Sequence, residues 1–265
     1  MRKIGFIGAG NMGGALASAV CKSVSSDSVY ISDFDMDKAA ALASSLSCHS
    51  MANDQIAGDC EVIFLGVKPQ VMESVVSSIA PVLARRSDRF VLVTMAAGLE
   101  CKTIAGYAGG EYPVIRVMPN TPAAIGKGVL QYCGLNTTQD DFDLFEKLMA
   151  NAGLVDALPE ALIDAASAVS GCGPAFCYLF IEALADGAVA CGLPRDKALK
   201  YAAQMVSGSA EMVLKSGIHP GVLKDQVCSP GGTTIQGVKA LEAGAFRSDT
   251  MAAVIAAYEK SRSIK

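Results

Sequence analysis

The sequence predicts an α/β fold in which a doubly wound parallel sheet is followed by an all-helical part. Three observations carry that expectation. Short runs rich in Val, Ile and Phe alternate with helix-period segments from Lys3 to about Ala157. A glycine-spaced turn joins the first of these runs to the first helical segment. After Pro159 the texture changes to long, Ala-rich segments without alternating strands. Regular βαβα alternation with near-continuous apolar strands implies a parallel sheet covered on both faces.

Strands are expected at Lys3–Ile7, Val29–Ser32, Val62–Gly66, Phe90–Thr94 and Val114–Val117, each a short apolar run rich in β-branched or aromatic residues. Helices are expected between them at Met12–Lys22, Met36–Leu46, Gln70–Leu83 and Cys101–Ala108. The second part reads as helices at about Ala161–Ser170, Pro174–Cys191, Pro194–Leu214, Thr234–Ala243 and Arg247–Ser263. These carry apolar residues on most faces, as in Phe176-Cys177-Tyr178-Leu179-Phe180-Ile181, so one layer cannot cover its own surface. A homo-oligomer is expected through this part, a symmetric dimer being the commonest solution. The junction falls near Asp156–Glu160, dividing residues 1–158 from 159–265.

Composition narrows the classes of function. With 51% apolar and 18% charged residues, the 265-residue chain can bury a substantial core. Its net charge of −4 comes with no basic tract, which argues against a nucleic-acid partner. Nine cysteines, an odd number with no CxxC pair, read as reduced, mostly buried side chains of a cytoplasmic protein, the alternative being a disulfide or zinc framework. The uncharged stretch Ile4–Cys21 superficially copies a secretory leader, but its five glycines dilute it. The run Ala165–Ile181 is broken by Gly171, Gly173 and Pro174, so no membrane partner is expected.

The turn Gly8-Ala9-Gly10-Asn11-Met12-Gly13 has the spacing GxGxxG, directly after a strand and directly before a helix. Gly8 allows the tight turn, Gly10 lets the backbone approach a pyrophosphate, and Gly13 lets helix and strand pack closely. The helix start adds free N–H groups for phosphates. The next strand ends at Ser32-Asp33, twenty residues beyond Gly13. A carboxylate there accepts hydrogen bonds from an adenosine ribose and repels a 2′-phosphate, and no Arg follows in Phe34-Asp35-Met36-Asp37, so the chemistry leans toward NADH. The other reading is that Asp33 or Asp35 caps the next helix. Val67-Lys68-Pro69, Ala96-Ala97-Gly98 and Met118-Pro119-Asn120-Thr121-Pro122 follow later strands, where open sheets place their ligands, and favour a nicotinamide-side pocket.

In the helical part, Ser229-Pro230-Gly231-Gly232-Thr233-Thr234 precedes a helix, presenting N–H groups and hydroxyls suited to a small carboxylate. The alternative is a helix that Thr233 or Thr234 simply caps. Ser170-Gly171-Cys172-Gly173-Pro174 resembles a tight helix entry whose glycines serve close packing. Glu182 and Asp186 share one helix face and read as a polar seam rather than acid–base machinery. Helix–helix hydrogen bonds are the other reading for that pair. The two histidines, His49 and His219, fit no nucleophile or metal pattern and read as surface residues.

These residues together resemble the pyrroline-5-carboxylate reductases nearly end to end. The resemblance is carried by Gly8–Gly13, Val67-Lys68-Pro69, Ala96-Ala97-Gly98, Asn120-Thr121-Pro122, Ser170–Ala175 and above all His219–Leu241. It implies a Rossmann-type domain that binds NADPH or NADH, a helical dimerisation domain often assembled into larger rings, and reduction of a cyclic imine to L-proline. It implies substrate-binding roles for Ser229, Gly231, Gly232 and Thr233, with the Thr234 hydroxyl near the imine nitrogen as the catalytic group. It also implies an adenosine-side contact for Asn53. The cofactor set is then Gly8, Gly10, Asn11, Met12, Gly13, Ser32, Asp33, Asn53, Val67, Lys68, Pro69, Ala97, Gly98 and Asn120, with no metal. Asp33 departs from the family, whose NADPH-preferring members more often carry a neutral or basic residue there. The rival expectations are a related imine or hydroxyacid reductase, and a protein that senses NAD(P) without turning it over. The absence of a His or Lys base in the helical half argues against hydroxyacid chemistry.

Overall fold

The computed structural model describes residues 2–263. The chain divides into two compact units, Met1–Cys172 with Ala257–Lys265, and Gly173–Ala256.

The first unit opens with strand β1 (Ile4–Ile7), helix α1 (Asn11–Ser23), β2 (Val29–Ser32), α2 (Met36–Leu46), a two-residue β3 (His49–Ser50) and α3 (Asn53–Asp59). It continues with β4 (Val62–Leu65), α4 (Pro69–Leu83), β5 (Val91–Thr94), α5 (Cys101–Ala108) and β6 (Val114–Met118). Then follow β7 (Gly128–Leu135), α6 (Gln139–Met149), β8 (Gly153–Ala157) and α7 (Glu160–Ser170). The eight strands lie in the order β3-β2-β1-β4-β5-β6-β7-β8. Every pairing is parallel except β6 with β7.

Alternation with period two assigns each strand residue to a face. Phe6, Ile31, Phe64, Val93 and Ile115 enter one core beneath α1 and α6, where Phe6 and Phe64 stack at 4.4 Å. Ile7, Ile63, Leu65, Leu92 and Val114 enter the opposite core against α4 and α5. All five expected strands and all four expected helices of this part are present, with ends moved by a residue or so. The sheet is not wholly parallel, however, because β7 reverses against β6. Sequence pattern also missed β3, α3, β7, α6 and β8. β7 hides behind two glycines and a Gln, and α6 (QDDFDLFEKLM) behind its acidic residues.

Helix α7 packs with this first unit although it begins the helical part of the sequence. Its Asp164 pairs with the fully buried Arg116 at 2.7 Å, and its last residue, Ser170, accepts through its backbone carbonyl from Asn120 at 2.9 Å. Gly171 is packed tightly, since a Cβ there would lie 2.8 Å from Ser167 Oγ, whereas Gly173 faces open space. Close packing therefore explains only the first of these glycines.

At the start of α6, Asp141 accepts from the Thr138 amide at 2.7 Å and its hydroxyl at 2.9 Å, and pairs with Arg89 at 2.5 Å. Burial alone would push its carboxyl up, but the bonds from Arg89 and Thr138 outweigh burial and hold it below the usual carboxylate range. A depressed folded-state pKa means stability that is present above the unfolded value and lost as pH falls through the folded one. Asp141→Asn is expected to cost about 1–2 kcal/mol near neutrality, a difference that shrinks in melts below about pH 4. A deficit independent of pH contradicts this account.

The second unit contains α8 (Gly173–Ala190), α9 (Arg195–Ser216), α10 (Pro220–Val227), α11 (Thr233–Ala243) and most of α12 (Phe246–Arg262). Four of these helices match expectation, and α10 was missed because its eight residues fall below the length at which periodicity is legible. Only Ala185, Ala198 and Ala202 are buried here, where α8 meets α9. Tyr178, Leu179, Tyr201, Met212, Leu214 and Met251 stand exposed. The segment Glu160–Ala190 is long and apolar enough to cross a membrane by length and composition, but Gly171 and Cys172 interrupt it between α7 and α8.

All nine cysteines are free thiols. The expectation that they are mostly buried is corrected: Cys60, Cys101 and Cys133 are buried, while Cys172, Cys177 and Cys191 are exposed on the helical part, whose surface one chain does not cover. Asp186 pairs with Arg195 at 2.5 Å on the surface. His219 caps α10 by accepting from the Gly221 amide at 3.1 Å, and His49 stacks on Tyr30.

Candidate active site

Strand order makes the site. β1 lies between β2 and β4, so chain connections leave it in opposite directions and a crevice opens beyond the strands' carboxyl ends. The cleft there has a volume of about 520 Å³. Of the expected cofactor residues it gathers Gly8, Gly10, Asp33, Asn53, Val67 and Lys68.

The glycine loop has the geometry its spacing requires. Gly8 has φ +113°, and a Cβ on Gly13 would lie 2.2 Å from the Gly8 carbonyl oxygen, so neither position accepts a side chain without displacement. A Cβ on Gly10 would meet nothing within 4 Å: the backbone is open there to an incoming group. Gly10 caps α1 without a side-chain bond and no acid occupies the first turn, which leaves the amides of Asn11, Met12 and Gly13 available. Asn53 contributes a buried Oδ1 without a hydrogen-bond partner to the same cleft. Open backbone, free amides and an unpartnered buried polar atom fit a dinucleotide.

Asp33 holds the loop in place. Its Oδ2 accepts from the Ala9 amide at 2.7 Å and its Oδ1 from the Asp35 amide at 3.1 Å. Asp35, not Asp33, caps α2, accepting from the Lys38 amide at 3.2 Å. Lys38, one residue beyond the Phe34–Asp37 run and not foreseen from it, places its Nζ 3.8 Å from Asp33. Sequence reading also missed Phe34, fully exposed at the cleft, and Ser74 of α4. An aromatic residue directly after the strand-end carboxylate was the available signal.

The remaining expected positions do not line this cleft. Ser32 ends β2 and is buried, Pro69 is the first residue of α4, and Ala97 and Gly98 follow β5. The Asn120 side chain is committed within the fold, donating to Ser170 and accepting from the Val129 amide at 2.9 Å. Its contribution is to hold the loop after β6.

In the second unit, Gly231 has φ +71° and the Gly232 amide donates to the Ser229 carbonyl at 3.0 Å, closing a turn before α11. Gly232 is the N-cap and provides no side-chain bond to the helix start. Ser229, Thr233 and Thr234 are exposed. The helix therefore begins with unsatisfied amides beside three hydroxyls, which suits a small anion.

A Rossmann-type sheet with this cleft, and a second unit presenting a helix start with open amides, fit a nicotinamide-dependent oxidoreductase. Residues 160–264 match the family model described as pyrroline-5-carboxylate reductase dimerisation, and residues 3–98 match one described as NADP oxidoreductase coenzyme F420-dependent. The pyrroline-5-carboxylate reductase of Glycine max is 42% identical, over 98% of this chain and 95% of its own. That of Escherichia coli is 40% identical, over 99% and 98%. The crystal structure of the Plasmodium falciparum enzyme with NADP bound superposes with TM-score 0.85 at 34% identity, covering 99% of this chain and 97% of that one. The chain belongs to the pyrroline-5-carboxylate reductase family.

Proposed function

We propose that this chain reduces 1-pyrroline-5-carboxylate to L-proline with NADPH or NADH, the last step of proline biosynthesis. The observation that carries the reading is the α11 start: Gly232 leaves the first turn uncapped, so its amides can grip the substrate carboxylate together with Ser229 and Thr233. Thr234 then hydrogen-bonds the ring nitrogen and orients the imine carbon. The bound nicotinamide supplies the hydride. A protonated imine is already a strong electrophile, so alignment matters more than a strong acid or base, which suits a chain with two histidines. Threonine is no useful acid near neutrality, and the substrate or solvent provides the proton.

In this reading residues 1–158 hold the coenzyme, and residues 159–265 hold the substrate and pair with a second copy. The exposed apolar residues of α8, α9 and α12 support a homodimer, with a decamer as the higher assembly, rather than a membrane contact. Free thiols support a cytoplasmic setting.

The test is loss of reduced-nicotinamide absorbance when substrate is added to enzyme with each coenzyme in turn. Consumption with the cyclic imine and not with 2-oxo acids is expected. Tight coenzyme binding with no consumption would establish a sensor instead.

A further inference from the structure

Three chemistry-bearing residues of the first unit meet away from the coenzyme cleft. Cys101 is the first residue of α5, Cys133 lies on β7, and Glu160 is the first residue of α7. The two sulfurs are 4.0 Å apart, and the Glu160 Oε1 accepts from the Cys101 amide at 2.8 Å. All three donor atoms lie within 4.8 Å of one another, with both thiols buried and Glu160 half-buried. Arg116, the cross-strand neighbour of Cys133, is fully buried; its Nη2 pairs with Asp164 at 2.7 Å and its Nη1 with Glu160 Oε1 at 3.6 Å, while its Nε has no hydrogen-bond partner.

We propose that Cys101, Cys133 and Glu160 form a binding site for a thiophilic divalent cation of the zinc class. Two thiolates on a tetrahedral zinc, at about 2.3 Å each, stand roughly 3.8 Å apart, close to the spacing already present. Binding forms two metal–sulfur bonds and breaks two S–H bonds, and the two protons leave to solvent. The cluster's net charge is therefore unchanged, which removes the main objection to placing a dication near Arg116. Both α5 and α7 begin here, so two helix starts favour the anionic ligands. The Arg116 Nε, which has no partner, is suited to support a ligating thiolate, while Nη1 already steadies the Glu160 carboxylate, as outer contacts do in metal centres. Three protein ligands leave one position for water on the Glu160 side. Such a metal would tie α5 and α7 to β7, and so stiffen the Ala97–Gly98 loop that runs into α5.

The experiment is titration of the whole reduced chain with Co²⁺, followed by thiolate-to-cobalt charge-transfer absorption, and thermal melting with and without Zn²⁺. Exposed Cys172, Cys177 and Cys191 can also take the probe, so the difference between chains is what counts. Cys133→Ser is expected to lose one equivalent and the rise in Tm with Zn²⁺, and a Cys60→Ser control to keep both. Glu160→Gln is expected to weaken cobalt binding at least about tenfold, and it reads the site even where Cys133→Ser fails to fold. Equal stoichiometry, spectrum and affinity in Glu160→Gln and the unsubstituted chain would overturn the proposal. So would closure of a Cys101–Cys133 disulfide by a mild disulfide oxidant in a chain that shows no cobalt–thiolate band, which would make the pair a redox couple.

Discussion

Thr234→Ala is expected to lower kcat by roughly 10- to 1000-fold, the range for loss of one hydrogen-bond donor that acts in the transition state. The effect should be confined to chemistry. Thr234 is the second residue of α11, exposed, in a first turn that no side chain caps, so its removal takes no cap bond from the helix. Folding and dinucleotide binding should persist, the latter because the cleft belongs to the other unit. Coenzyme affinity measured by nicotinamide fluorescence, beside kcat and KM for the imine, separates the two. An unchanged kcat would remove Thr234 from the mechanism, while a raised KM alone would reduce it to part of the carboxylate grip.

Asp33→Ser is expected to raise the ratio of NADPH to NADH efficiency by roughly 10- to 100-fold. A carboxylate beside an incoming phosphate costs on the order of 1–3 kcal/mol in a partly solvated cleft, and that cost disappears with the substitution. Lys38, now 3.8 Å from Asp33, is released to face the added negative charge. A second effect runs alongside. The Ala9 amide loses its 2.7 Å acceptor, so the glycine loop is less firmly held and affinity for both coenzymes should fall somewhat. The ratio kcat/KM(NADPH) to kcat/KM(NADH) isolates the electrostatic part. If that ratio stays put while both affinities drop, Asp33 serves only to brace the loop.

The same residue shows how far a sequence can be read. Its distance from Gly13 along the chain marked it as a strand-end carboxylate, but its bond to Ala9 depends on β2 lying beside β1, which local pattern does not express. Lys38 became relevant only when the first turn of α2 folded back toward the carboxylate. Asn120 was legible as a residue at a strand's carboxyl end, yet its side chain is used 50 residues away, on Ser170. Asn53 was reached through family resemblance, and burial then supplied the physical reason: an unpartnered oxygen facing the cleft.

Sequence by itself determined strands β1, β2, β4, β5 and β6 of the parallel core, the glycine loop, the helical second part and the hydroxyl-rich start of α11. Each is written in near neighbours, as period two, period 3.6, or glycines where a Cβ has no room. Tertiary structure alone decided the reversal of β7 against β6, the attachment of α7 to the first unit, and the meeting of Cys101, Cys133 and Glu160. These depend on which segments share an edge of the sheet, and the energy that selects them lies in contacts between residues 13 to 59 positions apart.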